Sequence, residues 1–499
     1  MSAANEKTIV PPKSPEVHPA VAKLADFSEK WSPVLVKELR QGLRTNTFSI
    51  LFLVLQAILM LVVFSVASTD FRSESAGRGL STSLFVLYSL AALIIQPLRG
   101  VAALSKEIKG KTIDLLVLTR LSSWRIVFGK WTSIFAQTLL LLCTLIPYFI
   151  MRYFFGGMQL FSELLLVLTI TFISGVFTAV AVGLSGNKSA IVRTMIPGLA
   201  AFFTSTSILG FFFAGGVNEL LQFFTFEDSD SLLIYGGFLV CSLYFGYYFL
   251  EIGAEAIAPP AENRSTRKRL ISFVVLIVGV LPLAYANLDA ALFAGLVLFT
   301  FMAVVTLSER GEFPTSICRP FLRFGILGRI AGRFLYPGWY TGILYLLMIA
   351  VPIFMIIYWQ NNSSSLSSYS INKQPAEWCT SLMFTGQALF PAVIVRLFFR
   401  NHRNPLSVYI GVYILSFIVA FMLATYADFG ENTLTWIFSF IPITQLYFFG
   451  QDWPEAETSL ALLGAFNLAY LSIILFFAIA PLRALRKIEN DAVKSSSVS

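Results

Sequence analysis

The sequence predicts an all-α protein that crosses a membrane about twelve times. Stretches of about 20 apolar residues recur along the whole chain, the length that a helix needs to cross a bilayer core of about 30 Å. The chain is 56% hydrophobic and only 13% charged, and a single soluble core cannot bury that much apolar surface. A transmembrane β-barrel would instead show short segments of alternating polarity.

Twelve apolar segments have the length of a membrane span. They are 48–68, 80–98, 131–151, 163–185, 193–214, 231–254, 270–287, 289–307, 338–359, 378–398, 406–427 and 458–481. One further apolar stretch, 434–450, is short and contains Pro442, so we predict that it is re-entrant or interfacial on the outer side. The alternative is a thirteenth span, which would place the C-terminus outside.

The positions of Lys and Arg predict on which side each loop lies, because these residues are enriched on the cytoplasmic side. With the N-terminus inside, the interior segments hold 32 of the 36 Lys and Arg residues. We therefore expect a multi-pass protein of the plasma (inner) membrane with both termini in the cytoplasm. The net charge of +8 follows from this asymmetry and requires no nucleic-acid partner.

The spans divide into two six-helix halves with a similar order of loops, because each half has its longest cytoplasmic loop after its second span. Such internal repeats are typical of transporters. The predicted organisation is a disordered tail (1–30), a first half (31–258), a basic cytoplasmic hinge (259–269), a second half (270–482) and a cytoplasmic tail (483–499).

The segment KWSPVLVKELRQGLRTN, just before the first span, predicts an interfacial helix on the inner leaflet. Its leucines recur every four residues, whereas its basic residues lie on other faces. The residues concerned are Leu35, Leu39 and Leu43 on the apolar side, and Lys37, Arg40 and Arg44 on the polar side. A cytosolic extension of the first span is the alternative.

The loop after the second span, Ser105–Trp131, contains an apolar stripe at helical spacing that is too short to cross a membrane. Its members are Ile113, Leu116, Val117 and Leu121. Such a stripe requires a partner surface, which is either another protein's groove or the inner face of this chain.

Together, the KELRQ helix and the loop pattern E-x4-T-I-D-L-L-x-L-T-x-L-S, followed by Gly-Lys, resemble the type-2 permease family of ATP-binding-cassette (ABC) transporters. The resemblance covers mainly residues 31–151. It implies that this loop forms a coupling helix, which receives motion from a separate cytosolic ATPase subunit. The implied ATPase-coupling residues are Glu107, Thr112, Asp114, Leu115, Leu116 and Thr119, with Gly129 and Lys130 at the start of the third span. The corresponding loop of the second half lacks the pattern, so it is either a degenerate coupling element or has another role.

The chain shows no phosphate-binding loop and has only two histidines, so we expect no catalytic site, no metal and no cofactor of its own. The leading hypothesis is the transmembrane subunit of an ATP-driven transporter, an exporter, with its ATPase on a partner chain. A homodimer or a second permease is a possible further partner. The alternatives are a non-transporting scaffold that recruits a cytosolic protein, and a secondary carrier, which would bury ionisable groups at mid-membrane.

Overall fold

The computed structural model describes residues 33–69, 74–110, 122–227, 229–259, 262–311, 313–364, 374–400, 404–427, 437–445 and 453–497. Within these ranges every regular element is a helix. The first nine helices are α1 (Pro33–Leu43), α2 (Asn46–Thr69), α3 (Glu74–Leu90), α4 (Ser105–Lys109), α5 (Ser123–Phe154), α6 (Leu160–Ser185), α7 (Ile196–Phe213), α8 (Gly216–Phe223) and α9 (Ser229–Ile257). They are followed by α10 (Arg264–Val275), α11 (Leu288–Leu307), α12 (Gly325–Leu335), α13 (Trp339–Ser364), α14 (Gln374–Phe398), α15 (Pro405–Ala427) and α16 (Trp453–Ser497).

A π-helical turn directly follows α3, directly precedes α7 and directly follows α10, and in each case a proline comes soon after it. The turns are Ala91–Ile95, Ile191–Met195 and Leu276–Val280, and the prolines are Pro97, Pro197 and Pro282. A proline lacks the backbone N–H and its ring clashes with the carbonyl of the preceding turn, so the helix widens locally instead of breaking. Beyond the turns, α3 continues through Gln96–Gly100 and α10 through Leu281–Ala286.

Eleven helices in the described ranges are long and apolar enough to cross a membrane. The chain is therefore an all-α protein with the architecture of a multi-pass membrane protein, as the sequence predicted. The predicted seventh span, 270–287, coincides with the helical run Arg264–Ala286, which is not among the eleven. The count of twelve spans stays a prediction.

The apolar side chains form two large buried cores that divide the chain. One core lies between Phe48 and Phe224, and the other between Tyr248 and Ala492. Helix α9 connects them, because Tyr248 belongs to the second core while α9 packs closely on α6 of the first half. A Cβ atom added to Gly183 would lie 2.1 Å from the Phe249 carbonyl oxygen, so this crossing requires glycine.

The described part of the predicted re-entrant stretch, 437–445, is a series of turns rather than a continuous helix. It packs against the protein: the Tyr470 hydroxyl donates to the Phe440 carbonyl, and the Ser459 hydroxyl lies 2.5 Å from Gln445 Oε1. Irregular backbone at membrane depth needs such burial in protein.

Helix α16 continues past the predicted last span through the segment predicted as a cytoplasmic tail, as far as Ser497. Leu485, Glu489 and Ala492 in this extension are buried. The extension packs on the one-turn helices Thr315–Ile317 and Arg319–Leu322 of the loop between α11 and α13. Apolar contacts with that loop therefore hold the extension against the protein.

Candidate functional site

Three of the eight residues that the family resemblance implied as ATPase-coupling lie in the described part of the chain. Glu107 is in α4, and Gly129 and Lys130 lie two turns into α5. The other five lie in segment 111–121, outside the described residues, and their role stays a prediction. They are Thr112, Asp114, Leu115, Leu116 and Thr119.

The structure brings Glu107 and Lys130 together with a third residue, Glu38 of α1. Lys130 Nζ lies 2.7 Å from Glu107 Oε1 and 3.1 Å from Glu38 Oε1. The Lys130 side chain is 8% exposed, and the Glu107 and Glu38 side chains are each 17% exposed, so water screens the three charges only partly. We call these three residues the Lys130 network. One lysine thereby joins the helix before the first span, the loop after the second span and the start of the third.

Sequence reasoning missed Glu38, although it lies within the KELRQ segment. Its partner is far away in the chain, and helical spacing gives no signal for such a contact. On α1, the predicted polar residues Lys37, Arg40 and Arg44 are exposed. The predicted apolar residues differ in exposure: Leu39 is buried against the protein, Leu35 is half-buried and Leu43 is 36% exposed.

Leu39 is buried because α1 packs along α5. A Cβ atom on Gly42 would lie 2.3 Å from Gln137 Nε2, so the backbone of α1 approaches α5 closely at this position. Arg99 fixes the same place from the end of α3, because its guanidinium donates to Gln137 Oε1 and lies 3.1 Å from Thr45 Oγ1. The helix is therefore attached to the protein along one side, and its contact with the inner leaflet stays a prediction.

A second group of buried charges joins the two halves at the predicted basic hinge, 259–269. Arg264 Nη1 lies 3.1 Å from Glu251 Oε2 of α9, and Arg269 Nη2 lies 2.6 Å from Glu309 Oε2 beyond α11. Lys268 pairs with Glu255. Asn263 caps α10 by accepting from the Thr266 amide at 3.1 Å.

Arg269 is fully buried, and its guanidinium also donates to backbone carbonyls at 2.9 Å from Phe334 O and 2.6 Å from Tyr336 O. The hinge segment thus forms ion pairs with α9 and polar contacts with the loop of the second half, and it fixes the position of the second half relative to α9.

A cavity of about 470 Å³ opens beside this junction, between the two halves. Its walls carry both signs of charge, and the residues that define it best are Lys188, Glu255, Arg264, Glu309, Arg310 and Asn404. All of them belong to segments that the Lys and Arg distribution places at or near the cytoplasmic side.

A second, apolar cavity of about 240 Å³ lies next to the first. The two share Ile252, Val305 and Leu406 in their walls, and the second reaches Phe301 and Tyr413. The space between the halves is therefore polar at the predicted cytoplasmic face and apolar at the neighbouring cavity.

A further ion pair is buried at the other end of the spans, away from the predicted cytoplasmic side. Arg152 Nη2 lies 3.2 Å from Glu163 Oε1, and Arg152 Nη1 lies 2.6 Å from the Gly156 carbonyl oxygen. Gly156 and Gly157 have φ of 79° and 64°, which lets α5 and α6 form a tight turn around this pair. The pair stabilises the turn.

In the part of the chain that the structure describes, no group of three or more His, Cys, Asp or Glu side chains could hold a metal ion. Comparisons with protein-family models, with curated proteins and with solved structures found no match to this chain.

Proposed function

We propose that this chain is the transmembrane subunit of an ATP-driven transporter, an exporter, powered by a separate cytosolic ABC-type ATPase. In this proposal it has twelve spans, both termini lie in the cytoplasm, and the loop 105–130 is the part that the ATPase contacts. The Lys130 network is the observation that carries the proposal. It connects the predicted contact loop directly to the third span and to the surface helix before the first.

This connection matters mechanically because coupling between distant sites requires a contiguous network that moves as a unit. A push on α4 passes through Glu107 to Lys130 and hence to α5, and through Glu38 to α1. Because α1 leads directly into α2, the first and third spans would move together. ATP-driven closure of the partner would then favour one access state of the path between the halves over the other.

The two neighbouring cavities between the halves support a transporter rather than a scaffold. A scaffold needs a binding surface but no passage, whereas a transporter needs an accessible space at the interface of its halves.

The ion pairs support an external motor rather than an ion-coupled carrier. Two ion pairs lie near the ends of spans, Arg152–Glu163 and Arg264–Glu251. Within each pair the two charges neutralise each other, so neither pair offers a proton or sodium site at mid-membrane.

Site-specific photocrosslinking tests the proposal. A photoreactive amino acid at the exposed Lys109 of α4 is expected to crosslink, in membranes of the native host, to a protein that contains a phosphate-binding loop. The same amino acid at the exposed Phe161, at the opposite end of the spans, serves as the control and should not crosslink to it. A specific crosslink from Lys109 to a protein without a nucleotide site would favour the scaffold and refute the transporter.

A further inference from the structure

The loop of the second half contains an exposed apolar surface that the proposed function does not use. At its centre is α12, with the sequence GILGRIAGRFL. Ile326 is 77% exposed, Leu327 is 79% exposed and Ile330 is 50% exposed, and the preceding Phe324 is 77% exposed. Monomeric proteins seldom leave large apolar side chains together at such exposure, so this face requires a partner.

The opposite face of α12 is occupied by the protein itself. Gly328 and Gly332 lie on that face, and Cβ atoms there would approach the Phe321 carbonyl oxygen to 1.8 Å and the Tyr336 ring to 2.4 Å. The glycines let the helix lie directly on its support. The orientation of α12 is therefore fixed, and it directs Ile326, Leu327 and Ile330 outward.

The charges around α12 select the partner. Arg329 and Arg323 are exposed, Arg333 is half-buried, and no Asp or Glu occurs anywhere from 313 to 364 in the sequence. Arginines beside the apolar face of a short helix match the phosphate groups of a lipid headgroup layer, with the apolar side chains in the upper part of the acyl chains.

The place of α12 in the chain leads to the same partner. Leu335 ends the helix, and Trp339 begins the membrane helix α13 only four residues later. Tyr336 and Tyr340 of this turn are buried in the protein, so the connection between α12 and α13 is held in place. A helix this close to the start of a span lies at the membrane surface.

We propose that α12 lies in the headgroup layer of the bilayer, with Ile326, Leu327 and Ile330 inserted and with Arg323 and Arg329 bound to anionic lipid phosphates. The membrane contact does not depend on the proposed transport function. Where that function holds, the second-half loop is a membrane anchor and not a second contact for the ATPase.

A fluorescence experiment in lipid nanodiscs tests this assignment. In a chain whose four cysteines are replaced by serine, Leu327→Cys is labelled with an environment-sensitive fluorophore, and Lys109→Cys serves as the water-exposed control. A nitroxide near the top of the lipid acyl chain is expected to quench the Leu327 label about threefold more than the Lys109 label. A water-soluble quencher should show the reverse order.

The side-chain exposure at Leu327 makes the label compatible with folding, and Ile330→Cys provides an independent second position. Replacing Arg323 and Arg329 with Gln should lower the lipid quenching in nanodiscs that contain anionic lipid. Stronger quenching from water than from lipid at both positions would overturn the proposal. Quenching by neither probe would also overturn it, because a second copy or a partner protein would then cover the face.

Discussion

Lys130 and Glu107 form an ion pair of 2.7 Å that joins the third span to the loop after the second. The lysine also reaches Glu38 at 3.1 Å, so a single ammonium group serves two carboxylates from separate helices. Its position in α5, beside the buried Gly129, leaves it little contact with water. The arrangement predicts that this lysine, more than any exposed cation in the loop, determines whether the loop and the spans move as one body.

Replacing Lys130 with Gln should loosen α1 and α4 together. The two carboxylates would lose their common cation and repel each other in a poorly hydrated place, at a cost of about 2 kcal/mol. We expect faster tryptic cleavage at Lys106 and Lys109 in detergent-solubilised protein. Arg125→Gln is the matched control, because Arg125 is exposed on the same helix, and it should leave the cleavage rate unchanged. Equal rates for the two variants would contradict the structural role of the network.

Gly183→Ala should destabilise the crossing of α6 and α9. The added methyl group would lie 2.1 Å from the Phe249 carbonyl oxygen, and because this atom is backbone, the two helices must separate, at a cost of about 1–3 kcal/mol. The measurement is the thermal unfolding midpoint of the purified protein in detergent. Gly236→Ala on α9 has no atom within 4 Å of the new Cβ and should leave the midpoint unchanged or raise it.

Replacing Arg269 with Met should be among the most damaging single changes at the junction of the halves. The Glu309 carboxylate, 7% exposed, would remain charged and without its guanidinium, which costs about 3–5 kcal/mol in a buried site. A loss of monodisperse protein in size-exclusion chromatography reports the effect. Arg267→Lys, at a neighbouring side chain that is 51% exposed, should behave like the unaltered protein. Tolerance of the Arg269 change would show that the junction is not fixed by this pair.

Cys318 should be nearly inert to thiol reagents at neutral pH in the folded protein. Burial raises the pKa of its thiol to about 11, although the Tyr336 hydroxyl partly opposes this. Only the thiolate reacts, so the maleimide or iodoacetamide labelling rate should rise about tenfold per pH unit up to that value. The test uses a chain in which Cys143, Cys241 and Cys379 are serine, with Lys109→Cys in a cysteine-free chain as the exposed standard. Labelling of Cys318 as fast as this standard at pH 7 would contradict the burial.

The helices could be predicted from the sequence because apolar length alone determines whether a segment can cross a membrane. Nine of the twelve predicted spans lie entirely within a helical run, and the spans 193–214, 270–287 and 338–359 each exceed their helical run by one residue. The extension of α16 to Ser497 was not predicted, since its apolar residues, such as Leu485 and Ala492, are few and face the protein rather than lipid.

The candidate site was only partly predictable. A sequence pattern could indicate Glu107 and Lys130 separately, but the contact between them, and the addition of Glu38, depend on how α1 lies along α5. The burial of the predicted hinge was likewise not predictable, because a run of basic residues indicates a solvated linker. In the structure Arg264, Lys268 and Arg269 are buried, since acidic partners from α9 and from the segment after α11 lie beside them.

In the proposed transporter, an external ATPase moves the two halves through the Lys130 network. Spin labels at Lys188 of the first half and Arg310 of the second half, which both line the junction cavity, can report the distance between the halves in the complex with its ATPase. We expect that trapping the ATPase with nucleotide shifts this distance distribution in the unaltered protein and in the Arg125→Gln variant. The Lys130→Gln variant should show no shift. An unchanged distribution on nucleotide binding, in a complex that hydrolyses ATP, would contradict the claim.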